Sequence, residues 1–385
     1  MKYQSICGIE GVAAAGIKEG KFGLALIRAD GTAAGVFTTN RVCAAPVALM
    51  RQQIKKGRLE AVIVNSGCAN AYTGKRGYDD AVSMTQVAGE VLGTDPARIG
   101  VASTGVIGRY LDLPLISGQC KKIAPLLAHS PDAEVSAAKA IMTTDTFPKH
   151  ALIRTESCSV AGIAKGSGMI APNMGTMLAF LYTDAEVSPA KLKEALKIAA
   201  DRSFNRVVVD GDTSTNDVAL CTATGKAGKV PYAEFCAALE ACCRSLAIQI
   251  ARDGEGATKL LEVTVKGAPD EKRAAKVAKT VIESPLVKTA VYGEDPNWGR
   301  VVAAAGRAGV KFDPDGISLW IGDGSAEFPL VTKGVIIADL KTAKQAMHGK
   351  TVAFTLDLAA GDGEATAWGC DLTEKYVEIN GKYTT

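Results

Sequence analysis

Histidine is nearly missing from this chain: His129, His150 and His348 are the only three in 385 residues. None stands at ligand spacing from another, and no H-E-x-x-H occurs, which speaks against a zinc site or a Ser-His-Asp triad. A surplus of one charge is also lacking. With 44 basic and 41 acidic residues the net charge is +3, which gives nucleic acid or an anionic membrane surface nothing to hold. No apolar run approaches the roughly 18 residues that cross a bilayer. The opening MKYQSICGIEG has neither an apolar signal core nor transit-peptide character. These absences lead to the expectation of a soluble, cytoplasmic protein. The phosphate loops are missing too. KGSGMIAP lacks the G-x-G-x-x-G spacing, and TATGKAGK at 222–229 lacks the K-[ST] ending of a P-loop. The ten cysteines include no C-x-x-C pair, and without a secretory signal they read as reduced, mostly buried small hydrophobes.

What the chain does have is core-forming material. Hydrophobic residues make up 47%, and the length suits about two domains. Short aliphatic runs bounded by Gly, Asp or Asn predict strands at 23–30, 33–39 and 60–67, and later at 260–267, 317–322 and 351–361. Apolar residues at helical spacing predict helices over 79–92, 189–204, 232–251 and 271–283. Ser188 reads as the N-cap of the second, with Pro189 in its first turn. The order does not alternate regularly. The expected class is therefore mixed α/β (α+β), with layered sheets covered by helices and no simple doubly wound sheet.

One junction raises a chemical question. Residues 165–180, KGSGMIAPNMGTMLAF, carry three glycines and then turn apolar after Thr176. Locally, a β-branched residue opening a strand and a turn glycine at Gly175 account for this on their own. A sharper account uses the threonine hydroxyl. It is a poor nucleophile unless a base lies beside it, and a free α-amine on the same residue, with a pKa of roughly 7.7–8.0, is such a base. Attack by that hydroxyl on the Gly175 carbonyl would turn the peptide bond into an ester and expose the amine, and water would then open the ester and cut the chain. A residue without Cβ leaves its carbonyl open to such attack.

The segment resembles the autoprocessing region of the ornithine acetyltransferases, also called glutamate N-acetyltransferases. GVFTTN (35–40), NSGCANA (65–71), STGVIG (103–108), MTTDTFPK (142–149), DGDTSTND (210–217), DGEGATK (253–259), GEDPNWGR (293–300) and the terminal YVEINGKYTT resemble family segments, eight in the family's order. One detail departs: many members carry alanine before the nucleophile, where this chain has Gly175.

The resemblance implies a self-processing enzyme of N-terminal-nucleophile type. It would consist of an α chain, 1–175, and a β chain, 176–385, assembled as two copies of each. It implies acetyl transfer from N-acetylornithine to glutamate in arginine biosynthesis, with Thr176 as nucleophile and Thr104 and Gly105 as oxyanion donors. Substrate contacts carried over are Thr143, Lys165, Thr176, Glu255, Asn380 and Thr385, with Thr144 competing with Thr143. No cofactor or metal is implied, and acetyl-CoA as a second donor is left open. A self-processing aminopeptidase or amidase, with water as acceptor, shares the cleavage and is the alternative. A non-catalytic protein that binds acetylated amino acids is a third reading, and a chain that stays in one piece would favour it.

Overall fold

The stretches 23–30 and 33–39, expected as two strands, join into one. A computed structural model describes residues 5–171 and 177–382. In it β1 (Ala13–Glu19) is followed by β2 (Phe22–Phe37), sixteen residues long. The glycine at 31 does not end the strand. It shifts the register between Arg28 and Gly31, where a Cβ would lie 2.1 Å from the Ala223 carbonyl oxygen. The close approach of another strand, rather than a turn, is what that glycine serves.

The chain divides into two units, Met1–Asn205 with Asp212–Leu246, and Arg206–Gly211 with Ala247–Thr385. After β2 come α1 (Ala45–Gln53), β3 (Arg58–Cys68), α2 (Gly74–Leu92), β4 (Ile99–Val106), α3 (Leu113–Ile123) and α4 (Pro131–Ala140). Then follow β5 (Lys149–Arg154), β6 (Ser159–Lys165), β7 (Leu178–Ala185), α5 (Pro189–Asp201), the short β8 (Val207–Val208), β9 (Val218–Gly228) and α6 (Tyr232–Arg252). The first unit's sheet runs β4-β3-β2-β9-β7-β6-β5, with β1 also on β2. Its β3/β4 and β7/β9 pairs are parallel and its other pairs antiparallel. Helices α1 and α2 pack toward β4, α4 on β1 and β2, and α5 on β2 and β9. Ala81, Met84 and Ala88 form the buried stripe of α2 that the helical spacing predicts. Every residue of β6 is buried, so this strand reads as a continuous run rather than an alternation. Ser188 does stand at the N-cap of α5, but its side chain makes no capping hydrogen bond.

The second unit has its own mixed sheet. It is built from β8 with β10 (Leu260–Ala268), β11 (Ser318–Gly322), β12 (Glu327–Thr332), β13 (Val335–Ile336), β14 (Thr351–Asp357) and β15 (Gly363–Cys370). Their order is β13-β12-β11-β14-β10-β15-β8. Helix α7 (Glu271–Ile282) packs on β10 and β15 through Ala274, Val277, Ala278, Val281 and Ile282. Asp270 caps it by accepting from the Arg273 amide at 2.7 Å. Helices α8 (Pro285–Tyr292), α9 (Trp298–Gly306), α10 (Leu340–Ala346) and α11 (Glu374–Lys382) complete the unit. The class is the mixed α/β expected. The ten cysteines are all unpaired, eight of them buried and Cys43 and Cys236 partly so. Among the described residues no helix is long and apolar enough to cross a membrane.

Candidate active site

Register alone gathers several sequence motifs at one end of the first sheet. Ser66 on β3 lies opposite Thr104 on β4, and Gly67 lies opposite Gly105. Gly67 has φ +101° and Gly105 φ +130°, a region that disfavours side chains. A Cβ on Gly105 would stand 2.3 Å from the Gly67 carbonyl carbon, so the two backbones meet only because position 105 has no side chain. Asn216 ties the arrangement from beneath: its Nδ2 donates to the Ala69 carbonyl at 2.6 Å and the Ser103 carbonyl at 2.8 Å. Thr38 Oγ donates to the Ser214 carbonyl at 2.6 Å, and Asn40 Nδ2 to the Thr213 carbonyl at 2.7 Å. The segments around 38, 69, 103 and 216 thus form one hydrogen-bonded platform.

Lys165, the last residue of β6, reaches this platform. Its ammonium donates to Thr143 Oγ at 2.9 Å and to Thr104 Oγ at 3.4 Å. Lys165 and Thr104 are 7% and 9% exposed, so an ammonium and two hydroxyls meet in a nearly enclosed space. The Thr144 hydroxyl is directed elsewhere and shares a hydrogen bond with Ser167 Oγ at 2.7 Å. Of the two neighbouring threonines, Thr143 touches Lys165.

Gly175, Thr176 and Thr385 lie outside the described residues. The chain on either side of the junction is nevertheless fixed. Ile170 bridges to Thr213, the Ala171 amide donates to the Asp212 carbonyl at 3.0 Å, and the Met177 carbonyl accepts from the Val218 amide at 3.1 Å. Leu178, two residues past Thr176 in sequence, pairs with Lys165 across β6 and β7. The DGDTSTND segment therefore holds one shoulder of the junction and Val218, the residue that follows it, holds the other.

Glu255 and Asn380 belong to the second unit. Asn380 Nδ2 donates to Glu255 Oε2 at 2.8 Å. Below them the Thr373 hydroxyl donates to the Gly256 carbonyl at 2.7 Å. A Cβ on Gly256 would come within 2.6 Å of the Tyr376 amide nitrogen, so the DGEGATK loop lies directly against the start of α11. The C-terminal segment is thus a helix fastened to that loop.

Sequence reasoning passed over three charged residues beside Lys165. Asp145 and Lys149 form a fully enclosed ion pair with 2.7 Å between Oδ1 and Nζ. Burial pushes the Asp145 carboxyl up, but the ammonium groups of Lys165 and Lys149 outweigh it and hold it at about 2. Lys18 on β1 faces Gly23, which faces Ser66, which faces Thr104, a single row across four strands. With only glycine in between, the Lys18 side chain reaches Ser66 Oγ at 2.8 Å. Desolvation lowers the Lys18 pKa, Asp145 counters the fall, and Lys165 adds to it. The signal in the sequence was the i, i+4 spacing of Asp145 and Lys149 inside MTTDTFPK. That spacing is far more often a solvated surface pair.

The sequence comparisons with known proteins agree with one another. The sequence model of the ArgJ family matches residues 10–385. The glutamate N-acetyltransferase of Methanosarcina mazei is 51% identical over 99% of this chain and 98% of its own. The arginine biosynthesis bifunctional protein ArgJ of Symbiobacterium thermophilum is also 51% identical, over 95% of this chain and 93% of its own. Among solved structures, an ornithine acetyltransferase of Mycobacterium tuberculosis complexed with ornithine is 36% identical. It covers 45% of this chain and 97% of its own, with a TM-score of 0.43.

Proposed function

The chain belongs to the ArgJ family of acyltransferases, and from that premise we propose that it moves an acetyl group from N2-acetylornithine to glutamate in arginine biosynthesis, through an acetyl ester on Thr176. The observation that carries this reading is the shared ammonium: Lys165 holds Thr104 Oγ and Thr143 Oγ together beside the strand that leads into the junction. An acyl-transfer site needs donors for an oxyanion and a cation for the substrate carboxylate, and this cluster supplies both types.

Thr176 Oγ first attacks the Gly175 carbonyl, the peptide bond becomes an ester that water opens, and the α-amine so freed becomes the base. Thr176 Oγ attacks the acetyl carbonyl, its proton passes to the amine, and Thr104 Oγ and the Gly105 amide receive the oxyanion. The C–N bond breaks, ornithine leaves with the proton, and the acetyl ester remains. The glutamate amine then attacks that ester and the hydroxyl is regenerated. Thr143 and Lys165 bind the carboxylate end. The family resemblance adds Glu255, Asn380 and Thr385 as further substrate contacts. No cofactor takes part, and the mature enzyme holds two copies of each fragment.

The test is mass measurement with an acetyl-transfer assay on the parent chain and on T176A. The parent should give fragments 1–175 and 176–385. Incubated with acetylornithine alone, it should release ornithine and gain one acetyl mass on the second fragment. T176A should stay uncut and inactive. Cleavage or transfer persisting in T176A would overturn the reading. Release of free acetate with no acetylglutamate would replace it by hydrolysis. An arm with acetyl-CoA and glutamate decides whether the thioester also serves as donor.

A further inference from the structure

Asp145 sits at the centre of the cation cluster, yet the chemistry above gives it no part. Its carboxylate is wholly enclosed. Oδ1 accepts from Lys149 Nζ at 2.7 Å and from the Gly166 amide at 2.6 Å. Oδ2 accepts from the Thr143 amide at 3.0 Å and stands 3.9 Å from Lys165 Nζ. That last distance is too long for a hydrogen bond but short enough for strong attraction. One carboxylate thus fixes the backbone on both sides of the Lys165–Thr143 contact. It also stabilises the Lys165 charge without occupying one of its N–H groups. Among the described residues two of the three Lys165 donors are taken, by Thr143 and Thr104.

Lys149 explains why Asp145 does not close on Lys165. It is 0% exposed and lies on β5 opposite Ala164, the residue before Lys165. Its direct ion pair holds the carboxylate to the β5 side. The charged groups facing Asp145 are Lys149 from β5, Lys165 from β6 and Lys18 from β1. Three cations around one carboxylate leave positive charge in excess, which suits a place that receives an anionic substrate group.

We propose that Asp145, clamped by Lys149, is a positioning residue that keeps Lys165 in register with Thr143 while leaving its ammonium open to a substrate carboxylate. This rests on the reading of Lys165 and Thr143 as carboxylate contacts. D145N keeps the shape of the side chain and removes its charge. The amide that replaces it offers one acceptor oxygen to the two backbone N–H groups and no charge to Lys165, so the Lys165–Thr143 contact loosens.

The expected result is that KM for acetylornithine and for glutamate rises about tenfold or more, with kcat changed less. A merely structural role would lower thermal stability and leave KM unchanged; that result overturns the proposal. Should D145N fail to fold, D145N/K149M removes both members of the buried pair together, and the same rise in KM is expected. A KM equal to the parent's in that double variant overturns the proposal too. Competitive labelling of lysine amines on uncut T176A and T176A/D145N, read by peptide mass, requires no turnover. Lys165 should label several-fold faster once Asp145 is replaced and its contact with Thr143 is loosened, and equal rates would refute the idea. If the parent moves no acetyl group, the proposed function fails on its own, and the labelling still decides the role of Asp145.

Discussion

Asn216 shows how much a single buried amide can organise. It is 6% exposed, and its two N–H bonds end on carbonyls of two different motif segments, at Ala69 and Ser103. The Ser103 carbonyl belongs to the peptide that leads into Thr104, so the amide fixes the direction from which the Thr104 hydroxyl meets Lys165. Asn216→Ala leaves two buried carbonyls without donors, at a cost of roughly 2–4 kcal/mol. The urea midpoint should fall accordingly, and acetyl transfer should slow even in the fraction that stays folded. A stability loss below about 0.5 kcal/mol would place Asn216 with ordinary surface positions and sink this account. Gly105 makes the same point by absence: at φ +130° and 2.3 Å from the Gly67 backbone, position 105 tolerates no Cβ.

At the scale of elements, the order of strands decides what cleavage would do. On the proposed cut, β6 ends the first fragment and β7 opens the second, yet β6, β7, β9 and β2 lie side by side in the sheet. The second fragment therefore supplies β9 and β7 between β2 and β6 of the first. Separation would break the β6/β7 and β2/β9 ladders and expose strands buried almost throughout. The expectation is that fragments 1–175 and 176–385 stay together under native mass measurement and part only in denaturant. Fragments that separate in buffer alone would count against this sheet order.

The same interleaving marks what was legible in sequence. Periodicity found α2, α5, α6 and α7, and short aliphatic runs found β2, β3, β10, β11 and β14, because each is a local pattern. It divided β2 at Gly31, since a glycine needed for the approach of β9 resembles one needed for a turn. Thr104, Gly105, Thr143 and Lys165 were named through their motifs, and the fold brings Thr104, Thr143 and Lys165 together. Asp145 and Lys149 were missed because enclosure of a charge depends on which strands surround it, and no local spacing records that.

For the molecule as a whole, the enclosed carboxylate links stability to pH. The folded pKa of Asp145 is held at about 2 against an ordinary 3.8. A depressed carboxyl contributes stability that is fully present above the ordinary value and is lost as pH falls toward the folded one. The window is therefore about pH 4 down to about 2, and the contribution is on the order of 2 kcal/mol. The carboxylates nearer the surface with lowered pKa values, Glu19, Glu60 and Asp270 among them, lose their contributions in the same acid range. They do so equally in the parent and in D145N, so the difference between the two isolates Asp145. Urea titrations at pH 6, 4 and 2.5 should show the parent losing about 2 kcal/mol more than D145N over that span. At pH 6 the parent should be the more stable of the two, and the gap should narrow as Asp145 takes up its proton. Parallel curves would mean that the Lys149 and Lys165 ammonium groups do not hold this carboxylate charged, and the electrostatic account of the cluster would fall with them.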